Sequence, residues 1–308
     1  AGYVAGRLAG LTADDAFIDP TYLHFSCLSD TRRGCWSEDL CRLFQVPQAK
    51  LPRVVEPWEK VGRLTEEAAR ATGLLAGTPV VAGAGDQAAA MLGAGILKPG
   101  MVYDAAGTAS VFAACLPRFA PDTKSATLLV ARLVPRDLWY AIGYINGGGL
   151  NLQWWRNLLR EAAGGPRAPE GTAARANSWT YRDLDDLAAR VPPGCEGLVF
   201  VPHLGGRSCP SRPFLRGAWV GLTWTHGLGH LWRSILEAVA YEYAIYRDVV
   251  RQLVPDMEFL EVRAVGGGAR SPVWNRIKAD VLGLPYLELN RSDAASVGAA
   301  ILAGYGVG

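Results

Sequence analysis

The stretch TPVVAGAGDQAAAMLGAG, residues 78–95, reads as a strand, a glycine turn and a helix in succession, and this unit decides the fold class. The apolar run Pro79–Ala82 predicts a buried strand. Residues 83–85 predict a tight turn, because glycine accepts backbone conformations that other residues avoid. Asp86 then begins an alanine-rich helix that ends within residues 93–95. A strand that leads through a turn into a helix is a building unit of α/β proteins.

Short strands follow this unit along the chain. The sequence predicts a meander of four strands over residues 101–106, 109–114, 126–134 and 138–146. The first two flank a turn at Gly107-Thr108. A helix is predicted from about Leu150 to Glu161, and the Gly-, Ala- and Pro-rich residues 162–178 predict a surface loop.

The C-terminal third repeats the strand-then-helix order. Residues 198–201 predict a short strand, and residues 229–253 predict a long helix with one apolar face. Residues 259–265 predict a further strand, which leads through a glycine turn to Ser271. Ser271 is placed to cap a helix that ends at Gly283. Strands that alternate with helices along the whole chain predict an α/β fold.

Composition excludes several classes of protein. The chain has 308 residues, of which 50% are hydrophobic and 19% charged, so it predicts two packed domains rather than disorder. A net charge of +2 with scattered arginines gives no support to a nucleic-acid partner. No apolar run is long enough to span a membrane. Six cysteines occur without zinc-ligand spacing, which predicts reduced thiols and a cytoplasmic protein without a bound structural metal.

Three glycine-rich turns stand next to predicted strands or helices. They are GAGD at residues 83–86, AAGTAS at 105–110 and VGGGARS at 265–271. A turn without side chains lets backbone N–H groups approach phosphate oxygens, and a helix that starts beyond it adds a favourable dipole. None of the three has the spacing of a Walker A loop or of the dinucleotide GxGxxG motif.

One long-range pattern carries a family resemblance. GAWVGL at 217–222 is followed after seven residues by HL and after two more by SILE at 234–237, and this spacing resembles the C-terminal signature of the FGGY carbohydrate kinases. Residues 200–223, FVPHLGGRSCPSRPFLRGAWVGLT, resemble the FLPYLSGERTP…RGAFFGLT stretch of the pentulose kinase branch. The Gly-Asp-Gln triplet at residues 85–87 resembles the GDQ or GDN segment of the same family.

The resemblance implies an α/β chain with the actin-like ATPase (ribonuclease H-like) fold. It implies that residues 95–308 form a complete or nearly complete C-terminal, ATP-binding domain, and that residues 1–94 form part of the N-terminal, sugar-binding domain. The family's first hairpin, which carries a phosphate loop and a carboxylate associated with Mg²⁺, has no counterpart in this sequence. The expectation is therefore a chain truncated at both ends relative to the family, with little or no turnover by itself.

The resemblance also implies the reaction and the sugar site. It implies ATP-dependent phosphorylation of a sugar hydroxyl, with a pentulose such as D-xylulose as substrate and Mg²⁺ accompanying ATP. Asp86 matches the general base that accepts the proton of the attacking hydroxyl. Asp86 and Gln87 match sugar-contacting positions. Taken without the family, Asp86 at the start of a helix is read first as a cap of that helix.

The nucleotide site follows from the same matches. Gly107 and Thr108 correspond to the second phosphate loop, and no metal ligand is assigned. Asn275, one turn beyond Ser271, is interpreted as part of a solvated helix face. The residues implied to bind ATP are Gly107, Thr108, Gly149, Gln153, Gly267, Gly268 and Ser271.

Two other functions stay open from the sequence. A glycerol or other polyol kinase is favoured by the Gln after Asp86, because glycerol kinases carry the GDQ triplet. A non-catalytic, actin-like nucleotide-binding module would bind ATP without a base at Asp86. The predicted partners are a small-molecule sugar and ATP, with a homodimer as a candidate assembly.

Overall fold

The computed structural model describes residues 2–162, 179–290 and 293–308. Its α-helices, in chain order, are α1 (Gly2–Ala9), α2 (Glu38–Leu43), α3 (Glu66–Thr72), α4 (Asp86–Gly93), α5 (Gly148–Ala162), α6 (Tyr181–Ala188), α7 (Leu228–Leu253), α8 (Pro272–Leu282) and α9 (Ala294–Val307). Its strands are β1 (Phe17–Ile18), β2 (Ser29–Asp30), β3 (Cys35–Trp36), β4 (Arg53–Val54), β5 (Lys60–Arg63), β6 (Pro79–Val81), β7 (Met101–Ala106), β8 (Ser110–Leu116), β9 (Leu129–Arg132), β10 (Trp139–Ile145), β11 (Val199–Val201), β12 (Ala218–Val220), β13 (Glu261–Val265) and β14 (Tyr286–Glu288).

A six-stranded mixed sheet forms the centre of the molecule, in the order β14-β13-β7-β8-β10-β9. The four strands β7 to β10 form where the sequence predicts four strands, and each neighbouring pair is antiparallel. The predicted meander order is wrong in one respect, because β10 lies between β8 and β9. Strands β13 and β14 extend the sheet on the other side and run parallel to β7. Strands and helices alternate along the chain, so the predicted α/β class is confirmed.

Helices cover both faces of this sheet. On one face, Phe112 and its neighbours pack against α7 and α8, where Trp232 and Trp274 are almost completely buried. On the other face, Tyr103 and Tyr140 lie in a second cluster together with Met91 of α4 and Ala294 of α9. Because alternate residues of a strand point to opposite faces, one apolar strand supplies both clusters.

Helices α4 and α9 cross at glycines. A Cβ atom added to Gly93 would clash with the Ala294 carbonyl oxygen, and one added to Gly298 would clash with the Ala89 carbonyl oxygen. Only residues without a side chain allow the two backbones to come this close. The crossing holds α4, and with it Asp86 at its first residue, against the sheet.

The strand before Asp86 differs from its prediction. Residues 79–82 were expected to form a buried strand, but β6 is half-buried and pairs with β5 in a two-stranded sheet. Val80 contributes to a small cluster around Phe17 and Val61. An apolar run of this length has the same composition in a half-buried strand as in a central one, so the sequence alone does not separate the two.

Helix ends follow the capping residues closely. The Thr65 and Ser271 hydroxyl groups accept hydrogen bonds from the N–H groups of Ala68 and Trp274, each at 3.1 Å. Gly283 ends α8 in the left-handed conformation that glycine adopts without strain.

Sequence reasoning missed α1, α6, α9 and β14. The loop predicted over residues 162–178 lies outside the described residues, apart from Ala162, which is the last residue of α5.

A buried ion pair ties the sheet to α8. Lys278 Nζ lies 2.5 Å from Asp104 Oδ2, and both side chains are fully buried. The hydroxyl groups of Tyr243 and Tyr286 each donate to the Asp104 carboxylate at 2.7 Å. The Lys278 ammonium also lies 4.2 Å from the ring of Trp274. Helices α7 and α8 and strands β7 and β14 are thereby joined at one carboxylate.

We expect Asp104→Asn to destabilise the fold by about 3–5 kcal/mol, because it leaves the Lys278 ammonium buried without its counter-charge. Urea unfolding followed by circular dichroism measures this. The matched control is Asp280→Asn on α8, the helix that carries Lys278. It loses a 3.9 Å ion pair with Arg276, in which the Arg276 side chain is 85% exposed and the Asp280 side chain 69% exposed. That change is expected to cost about 0–1 kcal/mol. Equal losses in the two variants would contradict the structural role of the buried pair.

Candidate functional site

Three chain segments meet at one edge of the central sheet. Strands β7 and β13 are parallel neighbours, with Ala105 paired to Val265, so their carboxyl ends lie side by side. Strand β10 runs in the same direction as β7, because both are antiparallel to β8. The turn after β7, the start of α5 after β10 and the glycine segment after β13 therefore lie at the same edge. Ligands of α/β sheets bind at the carboxyl ends of strands.

The hairpin tip Gly107-Thr108 is exposed and is held by the start of α5. The N–H of Gly149 donates to the carbonyl oxygen of Gly107 at 3.0 Å, and the N–H of Leu150 donates to that of Thr108 at 3.0 Å. A Cβ atom at position 149 would clash with the Gly107 oxygen. Position 149, which the family resemblance assigns to nucleotide binding, therefore has to be glycine for α5 to approach the hairpin. The N–H group of Gly149 is used in the hydrogen bond to Gly107.

Helix α5 starts earlier than predicted, at Gly148 instead of about Leu150. Its N-terminus therefore lies directly beneath the hairpin tip. A helix N-terminus favours a negatively charged group, so this arrangement suits a phosphate at the tip. Gln153 follows about one turn further along α5 and is half-buried.

The glycine segment after β13 combines two tight positions with one open one. A Cβ at Gly266 would lie 3.1 Å from the Ala106 carbonyl oxygen, and one at Gly268 would lie 2.5 Å from the Trp274 ring. Gly267, between them, is exposed and has no atom within 4 Å of such a Cβ. Gly266 and Gly268 let the segment pack closely on its neighbours, while the backbone of Gly267 is exposed and accessible to a ligand at this end of the sheet.

The Ser271 hydroxyl is engaged within the protein. It accepts from the Trp274 N–H and donates to Asp185 Oδ2 at 2.7 Å. The other oxygen of Asp185 accepts from the indole N–H of Trp232 at 2.8 Å. Burial raises the pKa of Asp185, and these two hydrogen bonds oppose that rise. Ser271 therefore fixes the position of the glycine segment. Sequence reasoning missed Asp185, which lies on the unpredicted helix α6.

Asn275 is not the solvated residue that the sequence suggests. Its amide nitrogen donates to the Ala269 carbonyl oxygen at 2.6 Å, which orients the side chain towards the glycine segment. Its amide oxygen is buried and has no hydrogen-bond partner. A buried polar atom without a partner is costly, and an N–H group of a bound base would be one partner for it. The residues around the glycine segment therefore fit a nucleotide.

Asp86 is the first residue of α4 and is exposed. Gly85 occupies the capping position before it, and Asp86 Oδ1 accepts from the adjacent Gln87 N–H at 2.8 Å. The Gln87 side-chain nitrogen is buried without a hydrogen-bond partner. An exposed carboxylate thus stands beside an unsatisfied donor, and both are held at the start of a packed helix.

Two tyrosines report the position of the Asp86 charge. Burial, then the charges of Asp104 and Asp86, raise the pKa of Tyr103 to about 12. Burial, then the charges of Asp86 and Asp19, raise the pKa of Tyr140. Tyr103 lies on β7, the strand that leads into the Gly107-Thr108 tip. Both tyrosines share a cluster with Met91 of α4, so Asp86 begins a helix that covers this face of the sheet.

A divalent metal has no ready protein site here. Among residues 2–162, 179–290 and 293–308, no three His, Cys, Asp or Glu side chains are grouped as metal ligands. Mg²⁺ that accompanies ATP is usually held by one or two carboxylates together with phosphate oxygens and water, so it does not need such a cluster. Within the same ranges, no helix is long and apolar enough to cross a bilayer.

Comparison with known proteins agrees with this geometry. The model of the FGGY family of carbohydrate kinases, C-terminal domain, matches residues 102–307, and the model of the N-terminal domain of the same family matches residues 3–93. A gluconokinase from Bacillus subtilis is 30% identical over 275 residues, which cover 89% of this chain and 52% of that protein. A glycerol kinase from Citrifermentans bemidjiense is 33% identical over 279 residues, which cover 89% of this chain and 51% of that protein.

The fold has close structural relatives. The crystal structure of a xylulose kinase from Rhodospirillum rubrum superposes with a TM-score of 0.82 at 32% identity, and the match covers all of this chain and 58% of that one. The chain spans about half the length of the curated relatives it matches. The fold is accordingly the actin-like ATPase fold, with both family domains partly present. With family models matched over residues 3–93 and 102–307, this chain belongs to the FGGY family of carbohydrate kinases.

Proposed function

We propose that this chain supplies the catalytic base and the nucleotide-binding side of an ATP-dependent kinase that phosphorylates a sugar hydroxyl. The observation that carries the proposal is Asp86 itself, an exposed carboxylate at the first residue of α4, the helix that packs on the sheet face formed by Tyr103 of β7 and Tyr140 of β10. The family membership supports the same reaction.

In this proposal Asp86 accepts the proton of the sugar hydroxyl while that oxygen attacks the γ-phosphorus of ATP. The O–H bond breaks, a new P–O bond forms, and ADP leaves with the electron pair of the broken P–O bond. The Gln87 amide donates to an oxygen of the sugar, which satisfies its unpartnered nitrogen. Phosphoryl transfer depends mainly on positioning and charge stabilisation, and a positioned base adds about 10²- to 10⁴-fold.

The nucleotide lies along the sheet edge in the proposal. Its phosphates face the exposed Gly107-Thr108 tip and the N-terminus of α5, where backbone dipoles favour negative charge. Its adenosine lies over Gly267, and Gly149, Gln153 and Gly268 shape the surrounding backbone. Mg²⁺ bound with ATP would neutralise phosphate charge, but the described residues offer no cluster to hold it.

A pentulose such as D-xylulose is the proposed substrate, supported by residues 200–223 and by the xylulose kinase fold relative. Glycerol is the second candidate substrate, supported by the 33% identity to a glycerol kinase and by the Asp86-Gln87 pair. The gluconokinase similarity adds gluconate to the compounds worth testing. A coupled ADP-release assay with D-xylulose, glycerol and gluconate separates the three.

Four further predictions accompany this function. A domain division between residues 94 and 95 stays a prediction, and limited proteolysis with mass spectrometry would locate the boundary. A homodimer is tested by analytical ultracentrifugation, and a cytoplasmic location by fractionation of cells. The prediction that the 308 residues alone turn over slowly is tested by the ADP-release assay, applied to them and to any longer gene product that contains them.

We expect Asp86→Asn to lower kcat by about 10²- to 10⁴-fold while ATP affinity stays nearly unchanged, because the amide keeps the shape of the carboxylate and loses its basicity. Steady-state kinetics give kcat, and calorimetry gives ATP affinity. Turnover is measured on a longer gene product that contains these residues, because the 308 residues alone are expected to show little or no turnover. Glu67→Gln is the matched control, since Glu67 is also an exposed carboxylate in the first turn of a helix. Unchanged turnover in Asp86→Asn would favour the non-catalytic nucleotide-binding module.

We expect Gly267→Ala to weaken ADP binding without changing the melting temperature. The added methyl meets no atom within 4 Å in the protein, so a loss of affinity reports a ligand that approaches the backbone there. Gly73→Ala is the control for the methyl group in open space, although its left-handed backbone adds a small strain of its own. Calorimetric titration with ADP measures the affinity. Full ADP affinity in Gly267→Ala would argue against adenosine binding over this glycine.

A further inference from the structure

The turn before Asp86 is held by a residue from a distant part of the chain. The N–H of Gly85 donates to the hydroxyl oxygen of Thr21 at 2.8 Å, across 64 residues of sequence. Both residues are buried, and the Thr21 side chain is almost completely so. No capping side chain of α4 itself holds this end of the helix. The backbone that carries Asp86 is therefore fixed by Thr21.

The Thr21 hydroxyl has its direction set by a buried carboxylate. Its proton is donated to Asp19 Oδ1, and the Thr21 N–H donates to the same oxygen at 2.9 Å. Asp19 follows β1 and is 7% exposed. Because the single hydroxyl proton is committed to Asp19, the oxygen lone pairs are free to accept from Gly85. Asp19, Thr21 and Gly85 thus form a relay of hydrogen bonds with a fixed donor order.

Packing reinforces the hydrogen bonds. A Cβ atom at Gly85 would lie 3.2 Å from Tyr22 Cδ2 and 3.3 Å from the Thr21 carbonyl oxygen. The segment of residues 19–22 therefore lies directly against the turn, and little space is left for the turn to move. Burial raises the pKa of Asp19, while its hydrogen bonds from Thr21 favour the charged form.

We propose that Thr21, oriented by Asp19, is a positioning residue for the base Asp86. The proposal rests on the proposed function, because it assigns these two residues to the same catalytic site. Catalysis is sensitive to such placement: a misplacement of about 1 Å costs about 10²-fold in rate. The relay fixes the position of the first residues of α4, and the crossing with α9 fixes the rest of the helix.

A hydrogen-exchange experiment tests the relay independently of activity. Thr21→Val keeps the shape of the side chain and removes the hydroxyl, so the Gly85 amide is expected to lose at least about tenfold of its exchange protection. Thr21→Ser restores it. Amides of Ala89 and Met91, inside α4, stay protected in both variants, which shows that the helix is folded. Amide exchange measured by NMR resolves the individual N–H groups.

Two further variants keep this test decisive. Thr127→Val removes the hydroxyl of another threonine that is 6% exposed, and it should leave the Gly85 amide unchanged, because the Thr127 hydroxyl donates to the Ser125 carbonyl oxygen instead. Asp19→Asn serves as the second test should Thr21→Val fold poorly. It keeps the Thr21 hydroxyl but weakens its acceptor, so an intermediate loss of Gly85 protection is expected. Unchanged Gly85 protection in both Thr21→Val and Asp19→Asn would overturn the relay.

Kinetics then test the positioning role. Thr21→Val is expected to lower kcat by about 10- to 100-fold with an unchanged KM for ATP, because the base is displaced and the nucleotide site is not. Thr21→Ser should recover most of the rate, and Thr127→Val should keep all of it. Turnover that survives Asp86→Asn would reject the proposed function alone. Turnover that is lost in Asp86→Asn but normal in Thr21→Val would reject the positioning role alone.

Discussion

The parallel pairing of β13 with β7 is the constraint on which the candidate site depends. It places Ala105 beside Val265, so that two turns separated by about half of the chain open at the same edge of the sheet. Parallel pairing requires a long crossover connection, and the chain from β8 to α7 supplies it. The buried Lys278–Asp104 pair secures the same junction, because Asp104 lies on β7 and Lys278 on the helix that follows β13.

Close backbone approach is the second theme of the structure. Gly149 lets α5 contact the hairpin tip, and Gly268 lets the segment after β13 pack on β7. Gly93 and Gly298 let α4 and α9 cross at backbone distance. In each place the glycine contributes by the absence of a side chain, so the functional segments are placed by rigid backbone contacts. Rigid placement is what phosphoryl transfer requires of a protein.

Four aspartates show how burial assigns different roles to one residue type. Asp104 is fully buried and neutralised by Lys278, while the half-buried Asp185 and the buried Asp19 are acceptors that orient Ser271 and Thr21. Asp86 alone among these four is exposed. A carboxylate that accepts a substrate proton has to reach the substrate, so exposure separates the candidate base from the three structural acids. The sequence by itself does not show this difference among the four.

Local sequence determined much of this protein. Local sequence predicts the strands β7 to β10 but not their order, Thr65 and Ser271 mark helix starts, and the spacing of the motif at 217–237 identifies the family. These signals act within a few residues, where chain geometry links sequence to structure directly. Tertiary structure alone decided that β6 is half-buried and that Ser271 and Asn275 face Asp185 and Ala269. It also decided that Asp86 is fixed through Thr21. Those features join residues far apart in sequence, and such contacts exist only once the chain has packed.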